Sequence, residues 1–303
     1  MASKPLLISF IGASFAILTI LTQAASSFDF IKNLKQGSQK GDQVKGVADL
    51  KKYLQHFGYL KYPIGLESYA NDDDFDDHLE DALKTYHDDT TGTLDHDDTS
   101  ITSMLTTRCG VPDIINCTSW IQSRKPKYRG DRSHPGYNFL PGSPKWPPTK
   151  THLTFGFDSS VPTSFRQPIE DAFEKWALAS SGRFLFSEAA SYDEADLKIA
   201  FERGDHGDMY PFGGRGGHFA HAFPPTDGRM HFNADVMWSI GAQHQHYDVG
   251  TAALHEIGHL LGLGHSSIFE AVMHPGYFPN MVKGHLTQDD IKGIRALYNI
   301  YDS

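Results

Sequence analysis

Apolar residues recur every three or four positions in two stretches of the N-terminal third of the chain. The first stretch runs from Val44 to Phe57, and Gly58 follows it where helices often end. The second stretch runs from Phe75 to Tyr86. Both patterns predict amphipathic helices, and two such helices can form a small unit by burying their apolar faces against each other.

The pattern of polar and apolar positions changes after residue 150. The stretches THLTFGF, RFLFSEA and DLKIAF predict strands, whereas the apolar residues from Phe165 to Trp176 fall at helical spacing. Residues 202–236 are crowded with Gly, His and Asp, and they predict a loop region.

Two further helices have recognisable starts. Asp248 is a good N-cap for one of them, and Thr287 with Asp290 resembles a capping box at the start of the other. Strands that come before most of the helices predict an α+β domain behind the helical unit.

The N-terminus has the pattern of a secretory signal peptide. Lys4 precedes a charge-free apolar run from Leu6 to Leu21, and small residues follow up to Ala24. An uncleaved membrane anchor is the alternative, but the run is short for a membrane span. No second apolar segment follows, so we expect a secreted protein without a stable membrane anchor.

Composition and charge narrow the function. The 303 residues carry a formal net charge of -10, which argues against a nucleic-acid partner. Seventeen histidines are many for this length, but only their spacing can indicate chemistry. The two cysteines, Cys109 and Cys117, are close enough in sequence for a small disulfide loop. Residues 119–149 are rich in Lys, Arg, Pro and Gly and predict a linker open to proteases.

The segment AALHEIGHLLGLGHSS carries three histidines in a metal-binding arrangement. His255 and His259 are four residues apart, so one face of a helix presents both imidazoles. Gly262 allows the helix to end and the chain to turn back, which brings His265 to the same point. Three neutral imidazoles suit zinc and leave its fourth position open.

Glu256 is placed to assist chemistry at this metal. It follows His255 directly, so it points on the order of 100° away around the helix and is not a ligand itself. Zinc lowers the pKa of its bound water to about 7, and a nearby carboxylate can accept the proton and pass it to a leaving amine. These residues predict peptide hydrolysis without a covalent intermediate, with Glu256 as the general base.

The sequence HEIGHLLGLGH followed by Ser266 closely resembles the metzincin metalloproteases and, among them, the matrixins. VMHPGY resembles the Met-turn of that family, in which Met273 would lie beneath the zinc histidines. The resemblance implies a zinc metalloendopeptidase. It also implies an α+β catalytic domain, with a twisted, mainly parallel sheet and three helices, behind a small helical pro-domain.

The resemblance extends to HGDMYPFGGRGGHFAHAFPPTDGRMHF, where matrixins hold a second, structural zinc. The ligands of that zinc carry over to His206, Asp208, His221 and His231. Three imidazoles and one carboxylate form a closed tetrahedral site without an open position, as structural zinc requires.

Matrixins also bind calcium beside this zinc, but the acids that they use are largely replaced here. Gly213, Asn233 and Val236 stand at acidic positions of the family, and PPTDG is shorter than the family's glycine-rich loop. Asp196 still matches a ligand of the second calcium site. Because calcium prefers several carboxylate oxygens, we expect weak calcium binding at most.

RCGVPD resembles the cysteine switch of matrixin pro-domains. On that likeness, Cys109 supplies a thiolate as the fourth zinc ligand of the latent form. Arg108 and Asp113 position its loop by ion pairing. A disulfide between Cys109 and Cys117 is the alternative, and the sequence leaves it open.

The family likeness also assigns a substrate pocket. Pro275 and Tyr277 would line it, with Thr251 at its base, and an apolar residue on the leaving side of the cut would fit it. Ala220 would offer its carbonyl to the backbone of an extended substrate.

The likeness is greatest to plant matrixins and spans most of residues 41–300. It predicts a signal peptide over residues 1–24, a pro-domain with switch and linker over 25–136, and a catalytic domain over 137–303. We expect a monomeric extracellular zymogen, in the cell wall if the source is a plant, glycosylated at Asn116. Its expected partners are extended protein substrates and protein inhibitors. The competing hypothesis is a non-catalytic binding protein that keeps metal only for structure, against which Glu256 argues.

Overall fold

The computed structural model describes residues 34–35, 37–87, 104, 107–114, 135–213 and 217–301. The predicted signal peptide, Asn116 and Cys117 lie outside the described residues. Two separate hydrophobic cores form within the described part, one in an N-terminal unit (residues 34–87 with 104) and one in a C-terminal unit (residues 135–301). The short segment 107–114 contributes Cys109 and Val111 to the second core.

The N-terminal unit contains the two predicted amphipathic helices, α1 (Val47–His56) and α2 (Asp77–His87), with a 3-10 helix (Glu67–Asn71) between them. Gly58 follows α1 with a φ of 84°, in the left-handed region that glycine tolerates best. A side chain at Gly58 would overlap the carbonyl of Ile114. Glycine therefore both ends the helix and lets the segment 107–114 approach it closely.

One charged side chain, Lys51, is wholly buried in this unit. Its ammonium donates to the Tyr69 carbonyl at 2.8 Å and pairs with Asp72 at 2.6 Å and Asp76 at 3.0 Å. It also lies 5.7 Å from the centre of the Tyr62 ring. A buried ammonium persists only where such partners offset its lost hydration. The cluster therefore fastens α1 to the chain that leads into α2.

We expect Lys51→Met to destabilise the N-terminal unit by about 2 kcal/mol, because it removes charged donors from two partly buried carboxylates. Hydrogen exchange of the α1 amides, followed by mass spectrometry, measures this local loss. Lys52→Met is the matched control, since Lys52 is exposed on the same helix and bonds only Asp49 among the described residues. Equal exchange in the two variants would contradict a stabilising role for the buried ammonium.

The C-terminal unit is built on a five-stranded sheet in the order β2-β1-β3-β5-β4. All its pairings are parallel except that of β4 with β5, which is antiparallel and forms one edge. The mainly parallel sheet predicted from the sequence is therefore confirmed. The strands are β1 (His152–Phe157), β2 (Leu185–Glu188), β3 (Leu197–Glu202), β4 (Ala220–Ala222) and β5 (Arg229–Asn233).

Three helices complete this unit: α3 (Thr163–Ala179), α4 (Val249–Leu260) and α5 (Gln288–Tyr298). A short parallel pair, β6 (Trp238–Ser239) with β7 (Tyr247–Asp248), leads into α4. Asp248 caps α4 as predicted, and the predicted capping box of Thr287 and Asp290 starts α5. Among the described residues, no helix is both long enough and apolar enough to cross a membrane.

Helix α4 is held from two sides by tryptophan. The indole N–H of Trp176, in α3, donates to the carbonyl of Leu254 at 2.7 Å. The indole N–H of Trp146 donates to the carbonyl of Leu260 at 2.8 Å. Both indoles are buried, so these bonds fix the helix on which the HEIGH sequence lies.

The prediction of a continuous loop over residues 202–236 is wrong in part, because β4 and β5 lie within it. Three-residue β4 is too short to give a periodic signal, and β5 is buried on both faces, so neither strand alternates polar and apolar residues. His221 and His231 are direct partners in the β4–β5 ladder. This pairing brings together two histidines that the sequence separates by ten positions.

Candidate active site

The three histidines of HEIGHLLGLGH converge on one point. The Nε2 atoms of His255 and His259 are 3.0 Å apart, and those of His259 and His265 are 3.2 Å apart. The Sγ atom of Cys109 lies 3.5 Å from Nε2 of His259, and all four ligand atoms lie within 4.8 Å of one another. Zinc–nitrogen bonds of about 2.0–2.1 Å place tetrahedral nitrogens about 3.3 Å apart. These four residues therefore fit zinc.

The turn after α4 brings His265 back towards the helix. Gly262 follows the end of α4 with a φ of 99°, and a side chain there would overlap the carbonyl of Pro144. The role predicted for Gly262, a helix breaker that reverses the chain, agrees with this backbone.

Each imidazole is oriented by a hydrogen bond from its other nitrogen. Nδ1 of His255 donates to the carbonyl of Val272 at 2.7 Å, and Nδ1 of His259 donates to the carbonyl of Leu263 at 2.8 Å. These bonds fix the tautomer that leaves the Nε2 lone pairs for a metal. Burial also lowers the pKa of His255 and His259, which keeps both rings neutral, as metal ligation requires.

Met273 lies beneath the histidine helix. It is 1% exposed, and a side chain at Gly258 of α4 would overlap its sulfur. The carboxylate of Asp290 accepts the N–H groups of Val272 and Met273, both at 3.0 Å. The cap of α5 therefore also holds the turn that contains Met273.

Glu256 is wholly buried beside the histidines. Among the described residues, no donor of normal geometry binds either of its carboxylate oxygens, although the thiol of Cys109 is close enough to interact with it. Burial raises the pKa of Glu256 to about 8, and the thiol acts in the opposite direction. A buried carboxylate with so few partners is rare in folded proteins, and it is typical of a catalytic group.

Segment 107–114 runs through the cleft between β4 and the turn after Met273. Gly110 donates its N–H to the carbonyl of Ala220 at 2.8 Å, and Cys109 donates its N–H to the carbonyl of Pro275 at 3.1 Å. The N–H of Phe219 donates to the carbonyl of Arg108 at 3.2 Å. The segment thus occupies backbone donors and acceptors on both walls of the cleft, as an added strand does.

Asp113 joins this segment to the metal-site histidines. Its Oδ1 accepts from Arg108 at 2.7 Å, in the predicted ion pair, and from Nδ1 of His265 at 2.6 Å. Its Oδ2 accepts from the hydroxyl of Tyr59 at 2.8 Å. The guanidinium of Arg108 stacks 3.8 Å from the ring centre of Phe57, at the end of α1. The N-terminal unit therefore contacts both charged residues of the segment.

A second cluster lies on β4, β5 and the loop before them. The Oδ2 atom of Asp208 is 2.8 Å from Nε2 of His206, 2.8 Å from Nε2 of His221 and 2.9 Å from Nδ1 of His231. Nitrogens of neighbouring rings are 3.3–3.4 Å apart. Among the residues that the structure describes, four ligand atoms converge here and no fifth joins them, which fits a closed zinc site.

Two of the residues predicted for the substrate pocket, Tyr277 and Thr251, belong to a hydrogen-bonded group at the start of α4. The hydroxyl of Tyr277 accepts from the N–H of Asp248 at 2.8 Å and lies 2.9 Å from the carbonyl of Met281. The hydroxyl of Thr251 donates to Asp248 at 2.7 Å and accepts the N–H of Lys283 at 2.9 Å. The Thr251 hydroxyl is therefore satisfied by hydrogen bonds within the protein, and only its methyl group is left to contact a substrate.

Two supporting residues were not predicted from the sequence. Asp289 accepts the N–H groups of Gly136 and Tyr137 and the hydroxyl of Ser266. The ammonium of Lys283 donates to the carbonyls of Phe269 and Ala271. The only sequence signal for the first is the acid pair at the start of α5, and nothing in the sequence indicates the second.

Comparison with known proteins identifies the family. The family model described as Matrixin matches residues 145–299, which is just over half of the chain and contains both histidine clusters. This chain belongs to the matrixin family. It is 40% identical over 272 residues to Metalloendoproteinase 1 of Glycine max, a match that covers 86% of this chain and 84% of that relative. It is 36% identical over 284 residues to Metalloendoproteinase 2-MMP of Arabidopsis thaliana, covering 86% and 73%.

Animal matrixins are also similar to this chain. Matrix metalloproteinase-20 of Homo sapiens is 37% identical over 216 residues, a match that covers 69% of this chain but only 39% of the human protein. Membership of the family makes this matrixin a zinc metalloendopeptidase that acts on proteins. The predicted enzyme class and the α+β metzincin fold are therefore confirmed.

Proposed function

We propose that this matrixin is a secreted endopeptidase, made as a latent zymogen, in which Glu256 is the general base. One observation carries the proposal. Three imidazole Nε2 atoms converge beside a buried carboxylate, and the thiol of Cys109 lies at the same point.

The proposed catalytic groups have separate roles. His255, His259 and His265 would hold the zinc ion, which when bound would supply a Lewis acid for the peptide carbonyl and lower the pKa of water to about 7. With the positive charge of a bound metal beside it, which favours the ionised carboxylate, Glu256 would take the proton of the attacking water and deliver it to the leaving amine. Because no other donor of normal geometry binds this carboxylate among the described residues, its oxygens are available for both transfers.

Latency is proposed to come from segment 107–114. Cys109 would occupy the fourth zinc position as a thiolate. Burial and the carboxylate of Glu256 raise the pKa of this thiol, so it needs a cation beside it to ionise. The described part of the chain contains Cys109 as a free thiol directed at His259, which favours ligation over a disulfide with Cys117.

Substrate is proposed to bind where segment 107–114 now lies. The carbonyls of Ala220 and Pro275, and the N–H of Phe219, are main-chain groups suited to an extended peptide. Pro275, Tyr277 and Thr251 are proposed to form the pocket for an apolar residue on the leaving side of the cut. Phe219 and Tyr277 are both buried, and Phe219 contacts the rings of Tyr277 and His255, which supports this preference.

The remaining proposals concern organisation and location. We assign residues 1–24 to a signal peptide, 25–136 to a pro-domain and 137–303 to the catalytic domain, with Asn116 as the glycosylation site of an extracellular monomer. The two separate hydrophobic cores support the division into two folded units. We assign His206, Asp208, His221 and His231 to a structural zinc.

Proteolysis and metal content test the proposed function together. We expect the chain to hydrolyse casein or an extended peptide only after the pro-domain, including segment 107–114, is removed, and to contain two zinc ions per chain. A zinc chelator should abolish hydrolysis, and added zinc should restore it. A processed, folded chain with two zinc ions and no hydrolysis of any extended peptide would favour the non-catalytic binding protein instead.

A further inference from the structure

The family resemblance implies bound calcium, but the residues of this structure do not fit that ion. Basic side chains already pair with the carboxylates that calcium would need as ligands. Asp196, the one family calcium residue retained, is already bound on both oxygens. Its Oδ1 pairs with the ammonium of Lys150 at 2.7 Å, and its Oδ2 accepts the N–H and hydroxyl of Thr154 at 2.8 and 3.0 Å. Burial alone would raise the pKa of Asp196, but the donors from Lys150 and Thr154 lower it overall.

A second acid near Asp196 is also paired internally. Asp227 and Arg229 lie with Asp196 in the wall of one cavity of about 420 Å³, which Lys198 also lines. Arg229 binds both oxygens of Asp227, at 2.7 and 2.8 Å, and its guanidinium stacks 4.0 Å from the ring centre of Phe223. The hydrogen bond from Arg229 is the main cause of the lowered pKa of Asp227.

The side chains that line this cavity leave no net negative charge for a cation. Lys198 and Arg229 balance Asp196 and Asp227 in the lining, and Lys150 adds a further positive charge through its ion pair with Asp196. Calcium needs six to eight oxygen ligands, several of them carboxylates. A divalent ion entering here would meet no net negative charge, and the carboxylates already accept hydrogen bonds on both oxygens.

The position of the other family calcium site is closed by an amide. Asn233 is wholly buried, and its side chain donates to the carbonyl of His218 at 2.9 Å and accepts the N–H of Asp235 at 3.0 Å. Val236 belongs to the hydrophobic core, and Asp235 forms an ion pair with Arg203. The Asn233 amide therefore links the backbone of His218 to that of Asp235 by hydrogen bonds, without a metal ion.

We infer that Lys150 and Arg229 act as built-in counter-ions in place of calcium, so that the catalytic unit keeps its fold without this ion. The ammonium of Lys150 neutralises Asp196, whose other oxygen binds Thr154 of β1, and the guanidinium of Arg229 neutralises Asp227, two residues before it. Unlike a bound ion, these cations are covalently part of the chain and do not depend on the calcium concentration around it.

Thermal unfolding of the full chain tests this inference. All samples carry Glu256→Gln to prevent self-digestion, and the buffers are free of calcium but contain zinc. We expect the Tm of this protein to change by less than about 1 °C when 5 mM calcium is added, and isothermal titration to detect no calcium binding. A calcium-dependent rise of several degrees would overturn the inference.

The double variant Lys150→Met/Arg229→Gln tests the two cations directly. It leaves Asp196 and Asp227 without their ion-pair partners, so we expect a calcium-dependent rise in Tm of about 2–4 °C and calcium binding by titration. Lys145→Met/Lys292→Met, which removes two exposed lysines outside this cavity, should give no calcium response. A double variant that is as indifferent to calcium as the control would overturn the inference. Because Tm and calcium binding are measured on inactive protein, neither result depends on the proposed hydrolysis.

Discussion

Glu256→Gln is expected to lower kcat/KM of the processed enzyme by at least about 10³-fold, the upper part of the range for losing a general base. The amide has the same shape as the carboxylate but cannot take a proton from water. Hydrolysis of a fluorogenic peptide, measured with equal concentrations of folded protein, gives the ratio. Zinc content should remain at two ions per chain, because Glu256 is not among the converging ligand atoms.

The control for this variant is Glu270→Gln, which neutralises an exposed acid in the segment after His265. It should leave kcat/KM within about twofold, since an exposed carboxylate has little influence on a buried site. Retention of more than a tenth of the activity in Glu256→Gln, with zinc content unchanged, would mean that another group accepts the proton.

Cys109→Ala is expected to raise the activity of the unprocessed chain at least tenfold, which corresponds to about 1.4 kcal/mol of lost blocking free energy. The substitution removes the sulfur that lies 3.5 Å from Nε2 of His259 but leaves the backbone bonds of segment 107–114. Activity is measured on intact chain, with a protease-free time course and gel analysis to exclude processing. Arg108 and Asp113 should continue to hold the segment in part, so activation should be incomplete.

Cys117→Ala separates the two explanations of latency. If the Cys109 thiolate blocks the metal, Cys117→Ala leaves the unprocessed chain latent. If a disulfide between the two cysteines holds the segment instead, both substitutions should activate it equally. Equal activation would therefore contradict the proposed role of Cys109, and a free-thiol count on the unfolded wild-type chain would identify the disulfide.

The histidines of the catalytic centre could be predicted because their geometry is local. His255 and His259 share a helix face, and Gly262 needs only its own backbone freedom to return the chain to His265. The same reasoning applies to the caps of α4 and α5, where each bond joins residues three positions apart. Such features depend on short segments whose conformations the sequence largely decides.

Features that join distant segments could not be predicted in this way. The bond that His265 donates to Asp113 spans 152 positions, and it exists only because segment 107–114 lies in the cleft of the C-terminal unit. The ladder that pairs His221 with His231 was missed because buried short strands lack an alternating pattern. Lys150 directly follows the predicted linker, where nothing in the sequence distinguishes it from other surface lysines, and only the fold brings it to Asp196.

The stacking of Arg108 on Phe57 has a consequence for how tightly the proposed zymogen is shut. The Phe57 ring is in place for the guanidinium only while α1 is folded. Each transient opening of that helix therefore also weakens the binding of segment 107–114 in the cleft. The fraction of unprocessed molecules whose cleft is open at any instant then depends on the opening equilibrium of the helix. A change of about 2 kcal/mol in the free energy of that opening alters the residual activity of the unprocessed chain about thirtyfold, although the cleft itself is unchanged.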